Sequence, residues 1–320
     1  MTSLQTPLEF LNVSAAVSGM TAAEQREYET GLASPTEIVN RDGAGLTIEW
    51  DILRTRSSKT DEGEVKVYNL AQAFRGGLHA EWLRRTARGV GFKVGVHVGW
   101  GGDLNLIMAG DAWEIVPDMR RGQEVITMFR FGEGQRAIVE STPDAPKQYL
   151  YESGNALGLW LVIQDLFMQL GQLRIDPAMQ APFMAAVQRT PIAASGSWVL
   201  DGELTRVIGD LLDTFGLEWK VINGQVIFLE RGITASSQGQ AAALLAPSTG
   251  LLEWSPTDAG LALTALAQPS IRPGSQIVVR DGFGRPVGAP GFRVESVRFT
   301  GSTFTGESIM TIEARRSVPL

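Results

Sequence analysis

The chain has 320 residues, 44% of them hydrophobic, with mean hydropathy +0.01: enough apolar material for two or three packed cores, which excludes a disordered chain. Its 28 Lys+Arg against 35 Asp+Glu leave a net charge of −7 spread over both halves, so no basic domain or tail exists to hold nucleic acid by counterion release. Zero cysteines exclude disulfides, thiolate metal sites and a cysteine nucleophile, and two histidines, His79 and His97, nearly exclude imidazole zinc sites.

Residues 1–40 read as an arm. Glu9 stands early with no basic-then-apolar run, so a signal peptide is not expected and synthesis in the cytoplasm is. Thr21 followed by Glu24 has capping-box spacing for a short polar helix. From Leu46 the period becomes two: Leu46, Ile48, Trp50 and Ile52 share one face, and Thr47, Glu49, Asp51 and Leu53 the other. A charged turn over Ser57 to Glu64 leads to a strand at Val65 to Leu70, then a helix through Leu78 to Arg88. In the next strand Val90, Phe92, Val94, Val96, Val98 and Trp100 point one way, and Gly91, Lys93, Gly95, His97 and Gly99 the other. A face nearly bare of side chains implies strong curvature or another backbone close by. Leu104 to Met108, Asp111 to Val116 and Glu124 to Phe131 follow as short strands.

Past Pro143 and Pro146 the pattern turns helical. Ala156 to Leu170 is apolar, but at about 15 residues with Gln164, Asp165 and Gln169 inside it is a buried core helix; a span needs ~20. An irregular stretch with Pro177, Pro182 and Pro191 comes next. Leu204, Val207, Ile208, Leu211, Leu212 and Phe215 then trace one helical stripe, with Asp201 placed to cap its start and Gly216 to close its end. Leu217 to Ile222 and Val226 to Phe228 form a β-hairpin, turned by Asn223-Gly224 in type I′ geometry. Ser236 to Ala246 reads as a linker. Strands return at Gly250 to Trp254, Leu261 to Leu266, Gln276 to Arg280, Phe292 to Phe299 and Ser308 to Glu313. The expected division is an arm (1–40), a β domain (41–145), an α+β domain (146–246) and a second β domain (247–320). The two β parts do not align residue by residue from sequence alone.

No catalytic constellation emerges, and no catalytic, cofactor or metal residue is assigned. Gly89-x-Gly91-x-x-x-Gly95 and Gly282-x-Gly284-x-x-x-Gly288 miss the dinucleotide-loop spacing, and the first lies inside a strand. Nucleophile-elbow, phosphate-loop, metalloprotease and EF-hand patterns are absent. Arg84, Arg85 and Arg88 with Lys93 read as a solvated or salt-bridged face rather than an anion site, and the eight tryptophans as core residues rather than sugar platforms.

Several phrases, taken in order, resemble the baseplate hub (tail hub) proteins of contractile-tailed bacteriophages, a family that includes late control proteins and the hub portion of type VI secretion spikes. They are Val65 to Leu70 (VKVYNL), Leu106 to Val116 (LIMAGDAWEIV), Leu200 to Phe228 and Leu251 to Arg315, with RPGSQIVV, GFRVESVRFTG and MTIEAR, so that the match runs from about residue 45 to 315. The resemblance implies a mainly β chain in which two small tail-tube-like β-barrels flank an α+β domain. It implies a non-enzymatic virion structural protein of the tail baseplate, without cofactor. Three copies would form a ring adapting a six-fold tail tube to a three-fold spike, with tube and tube-initiator proteins above, the central spike below, and tape-measure and baseplate wedge proteins as further partners. Genome DNA would pass through the lumen without sequence-specific binding. The subunit-interface residues expected are Val90, Gly91, Phe92, Gly95, His97, Gly99 and Trp100 on the glycine-faced strand, with Arg293, Glu295 and Arg298 near the C-terminus. The alternatives are a tail-associated cell-wall hydrolase with a carboxylate dyad, a carbohydrate-binding module, and a hub or spike component of a type VI-like injection system.

Overall fold

A computed structural model of the chain describes residues 8–13, 36–40, 46–56, 60–88, 91–100, 103–134, 147–151, 156–170, 173–190, 196–200, 203–222, 225–230, 242–288 and 291–316. The chain divides into two compact units: Met1–Glu133 with Thr234–Leu320, and Gly134–Ile233. The fold is mostly antiparallel β, with four α-helices among the described residues.

The first unit begins with strands β1 (Leu8–Val13), β2 (Thr36–Asn40), β3 (Ile48–Thr55) and β4 (Glu62–Tyr68). Helix α1 (Gln72–Ala87) and strands β5 (Lys93–Trp100), β6 (Asp103–Arg121) and β7 (Glu124–Gly132) follow. After the second unit it resumes with β13 (Ala243–Leu245), β14 (Leu251–Pro256), β15 (Gly260–Leu266), β16 (Gln276–Val279), β17 (Phe292–Ser302) and β18 (Glu307–Arg316). These strands make one sheet in the order β14-β15-β18-β17-β3-β4-β7-β6-β5-β1-β2, with β16 and β13 branching from β17.

Alternation builds this unit. Along β3 the inward positions are Ile48, Trp50, Ile52 and Arg54, all 4% exposed or less, and along β5 Val94, Val96 and Val98 are buried likewise. One core runs beneath both β lobes, through Phe129 and Phe131 on one side and Phe292, Val297, Phe299 and Ile312 on the other.

Several expectations change. The strands expected at Leu104 to Met108 and Asp111 to Val116 are one 19-residue strand, β6. Gly110 does not break it; it lets β6 cross the Gly132 backbone, where a Cβ would lie 2.4 Å from the Gly132 carbonyl carbon. Residues 243–245 of the expected linker form β13, parallel to β16. The first 40 residues contribute β1 and β2, with β1 pairing β5 from Leu8↔Gly99 to Asn12↔Gly95. Helix α1 begins at Gln72, one turn and a half before the expected Leu78. The helix expected at Thr21 lies outside the described residues.

In the second unit, strands β8 (Lys147–Tyr151) and β10 (Gly196–Leu200) pair with each other. The rest is α2 (Ala156–Gln169), β9 (Arg174–Ile175), α3 (Gln180–Arg189), α4 (Leu204–Thr214), β11 (Leu217–Ile222) and β12 (Gln225–Glu230). Helix α2 is the expected core helix, burying Leu159, Trp160, Ile163, Leu166 and Phe167. No helix of the described residues is long and apolar enough to cross a membrane. Helix α3 was hidden by its proline: Pro182 stands in the first turn, where a missing N–H removes no intrahelical bond. The stripe of α4 buries Leu204, Ile208, Leu211 and Leu212, and Gly216 ends the turn at φ +67°. The hairpin pairs Leu217↔Glu230 through Ile222↔Gln225. Asn223, Gly224 and Asp201, assigned to its turn and to the helix cap, lie outside the described residues. The core is aromatic: Phe167 meets Trp219 edge-on at 5.1 Å, and Phe183 packs on Trp160 at 5.5 Å and Phe228 at 5.8 Å.

Candidate functional site

Several charged side chains of the first unit pair with one another. Arg84 and Arg85 both pair with Glu81, and Lys93 pairs with Asp111 at 2.7 Å, so this cluster is a salt-bridged face. The Arg84 guanidinium, with Arg85, holds the Glu81 carboxyl below its ordinary value despite burial. His79 stacks on Trp82 with centroids 5.5 Å apart. Among the described residues no group of three or more His, Cys, Asp or Glu is placed to hold a metal ion.

Sequence reasoning missed a buried charge cluster behind β3. Arg54, 1% exposed, donates to Asp61 Oδ2 at 2.9 Å, to Glu133 Oε2 at 3.3 Å and to the Ile107 carbonyl at 2.8 Å. Asp61 also accepts from the Thr55 N–H at 3.0 Å. Burial, and then the Arg54 charge, pull the Arg272 guanidinium below its ordinary value, so the cluster reaches from β3 to the loop after β15. The signal was parity: Arg54 continues the inward series Ile48, Trp50, Ile52.

The predicted interface strand is paired on both edges within the chain, by β1 on one side and β6 on the other. Phe92 points into the core, Gly95 is buried, and Gly91 and His97 are half-buried. Val90 lies outside the described residues, and Gly99 and Trp100 are placed only as backbone of β5. In β17, Arg293 bonds Glu295 at 2.7 Å, and Arg298 forms a two-bond pair with Asp51 of β3. That pair sits on the seam joining the two β lobes, where β17 and β3 align seven residue pairs from Ser296↔Thr55 to Ser302↔Glu49. Gly301 faces Trp50 there, and a Cβ on it would lie 2.0 Å from the indole, so the glycine is what lets β17 close over the tryptophan.

The lobes are two copies of one pattern. Strands β3, β4, β5, β6 and β7 occur in sheet order β3-β4-β7-β6-β5, and β14, β15, β16, β17 and β18 in order β14-β15-β18-β17-β16. Register fixes the equivalences. Trp50 pairs Val65, Val65 pairs Phe129 and Phe129 pairs Ile115; in the other lobe Trp254 pairs Leu263, Leu263 pairs Ile312 and Ile312 pairs Val297. Both lobes carry a bulge at the same place, between Ala112 and Glu114 in β6 and between Val294 and Ser296 in β17. Glu49-Trp50 and Glu253-Trp254 are then matching phrases, with Leu251 in the place of Ile48 and Leu252 the extra residue of a bulge. Yet Trp50 is 4% exposed and Trp254 38%, because β17 covers the edge of β3 while no strand among the described residues covers β14. Leu252, at 59%, is exposed beside it.

The solvent face of the joined sheet is a charged row. Arg130 bridges Glu64 and Glu114, and Lys66 also pairs with Glu64. Burial raises Glu64, but Lys66 and Arg130 outweigh it and hold the carboxyl below its ordinary value. Glu49, Asp51, Glu62, Glu64, Glu114, Glu124, Glu253, Glu307 and Glu313 outnumber Lys66, Arg121, Arg130, Arg293, Arg298 and Arg315 along this face.

The fold so defined belongs to the class seen in tail proteins. The prophage MuSo2 43 kDa tail protein from Shewanella oneidensis superposes with TM-score 0.58 at 9% identity, over 97% of this chain and 98% of that one. A tail protein from Neisseria meningitidis gives 0.54 at 9%, over 96% of each chain. An Escherichia coli component of the type VI secretion system, itself structurally similar to bacteriophage T4 tail proteins gp27 and gp5, gives 0.54 at 12%, over 90% of this chain and 76% of that one. No protein-family model and no curated protein matches the sequence.

Proposed function

We propose that the chain is a structural, non-enzymatic hub component of a tail baseplate, with function in its packing surfaces. The carrying observation is the doubled five-strand pattern joined edge to edge within one polypeptide. Each lobe stands for one wall element of a small tail-tube-like barrel, so three chains would present six such elements on one side and three-fold symmetry on the other. The chain thereby adapts a six-fold tube to a three-fold spike. The likeness to tail proteins along nearly the whole chain supports this reading. Its partners are two further copies of itself, tube and tube-initiator proteins above and the spike below, with tape-measure and wedge proteins alongside; its location is the virion tail. The expected interface strand, Val90 to Trp100, whose described part is β5 (Lys93–Trp100), serves through its face, since both edges of β5 are filled.

The acid-rich face of the joined sheet lines the lumen in this arrangement, and negative charge there lets DNA slide past by repelling its phosphates. A second reading, a hub component of a type VI-like injection device, is favoured by the likeness to the Escherichia coli secretion component and keeps the same geometry.

Native mass spectrometry and negative-stain microscopy of the purified full chain test the proposal. A three-copy ring with a central passage is expected. A chain that stays monomeric at every concentration, alone and with tube and spike proteins present, overturns it.

A further inference from the structure

We propose that the open edge of β14 is completed by the C-terminal half of β6 from a second copy of this chain, antiparallel, with Glu253 opposite Arg121 and Trp254 opposite Arg120. The inference deepens the ring reading and rests on it only in that copies of the chain meet.

The template is the seam already inside the molecule. There β3 takes the second half of β17 as its neighbour, and Trp50 is buried against Gly301. The equivalent of β3 is β14, and the equivalent of that half of β17 is the second half of β6. Each is half of a seam whose other half no strand among the described residues supplies. On one side β6 is paired by β5 only from Asp103 to Asp111; beyond that an open groove of about 760 Å³ lies between Pro117 and Asp118 and the first turns of α1. Both edges belong to the same compact unit, at separate places along the sheet order, and each copy carries one of each.

The register follows from the same bookkeeping of pairs. Gly301 pairs Ser308 in one lobe; the equivalent of Ser308 is Val125, which pairs Arg120. Trp254 therefore meets Arg120, Ser255 meets Met119 and Glu253 meets Arg121, with Leu252 bulged beyond them. Chemistry agrees with this register. Opposite charges, Glu253 and Arg121, stand directly across the seam, where the internal one sets Arg298 and Asp51 on a diagonal, and Arg120, in the place that Gly301 holds internally, sets an exposed guanidinium against a half-exposed indole instead of closing over it. Pro256 on β14 and Pro117 on β6, which lack an N–H to donate, stand together at one end of the ladder and close it there. Two different edges meeting head to tail make a heterologous contact, which closes into a ring when the rotation allows.

The cysteine-free chain makes the test clean. Full-length Ser255→Cys and Met119→Cys variants, differently tagged, are co-expressed and mildly oxidised, and each is also oxidised alone. A disulfide-linked dimer that always contains one of each variant, with none from either variant alone, is expected, together with a three-copy ring by native mass spectrometry. A ring without the mixed disulfide overturns the seam and leaves the hub reading standing. The mixed disulfide in open filaments keeps the seam and overturns the closed ring. A dimer from Ser255→Cys alone means β14 pairs with itself, which overturns the head-to-tail contact, and monomers without cross-link, alone and with tube and spike proteins present, overturn both readings. As a second variant, Leu252→Lys with Trp254→Lys changes only exposed side chains; it abolishes assembly with the melting of the monomer unchanged, and unchanged assembly overturns the seam.

Discussion

Replacing Arg54 with methionine keeps an unbranched stem of similar reach and removes only the charge. In the native chain one guanidinium serves two carboxylates whose side chains are fully enclosed, Asp61 at 2.9 Å and Glu133 at 3.3 Å, and caps the Ile107 carbonyl at 2.8 Å. Without it both acids remain buried, with Arg272 as the cation near them. Breaking a buried pair by deleting one partner destabilises by about 3–5 kcal/mol, because the desolvation already imposed on the remaining charge is no longer offset. For a unit of this size each kcal/mol lowers the midpoint by roughly 2–4 °C, so Arg54→Met is expected to lower the melting of the first unit by roughly 6–20 °C. Differential scanning calorimetry of the full chain reads this directly. The triple variant Arg54→Met, Asp61→Asn, Glu133→Gln should recover most of the loss, since no enclosed carboxylate is then left without its guanidinium. A loss for Arg54→Met below about 1 kcal/mol, the range of an exposed ion pair, refutes the reasoning.

Three further outcomes are expected. Gly301→Val forces a side chain into the indole of Trp50 and toward the Glu307 carbonyl, 2.5 Å from the new Cβ, and should destabilise the lobe seam by about 1–3 kcal/mol with a change in tryptophan fluorescence; unchanged unfolding in urea would show that β17 can move aside. Phe183→Ala empties a fully buried position ringed by Trp160, Phe215 and Phe228, and should lower the stability of the second unit by about 3–5 kcal/mol, read by calorimetry. Tyr68, which donates to Glu49 at 2.7 Å, is pushed up to about 12, first by burial and then by the Glu49 carboxylate. The folded state therefore favours the neutral phenol, and that stabilisation is full below the unfolded value near 10 and lost as pH rises through about 12. Tyr68→Phe should flatten the loss of stability across this alkaline window. Tyrosinate absorbance checks it: the component missing from the variant should titrate near 12, and a midpoint near 10 would contradict the assignment.

Local periodicity determined much of this protein. Strands β3, β5, β15 and β18 and helices α2 and α4 were legible because a two-residue or 3.6-residue repeat records which face is dry, whatever lies across from it. Tertiary structure decided what is paired with what, since a strand's neighbours leave no trace in its own alternation. The kinship of Glu49-Trp50 with Glu253-Trp254 emerged only when pairing set each tryptophan in register with its neighbours across four strands. Arg54 stood in an inward position by parity, but its countercharges come from Asp61 and Glu133, seven and 79 residues away. Glycine behaved the same way: Gly110 and Gly301 look like breaks in a strand until the backbone and the indole that pass over them are in place, and close approach is a property of two segments rather than one.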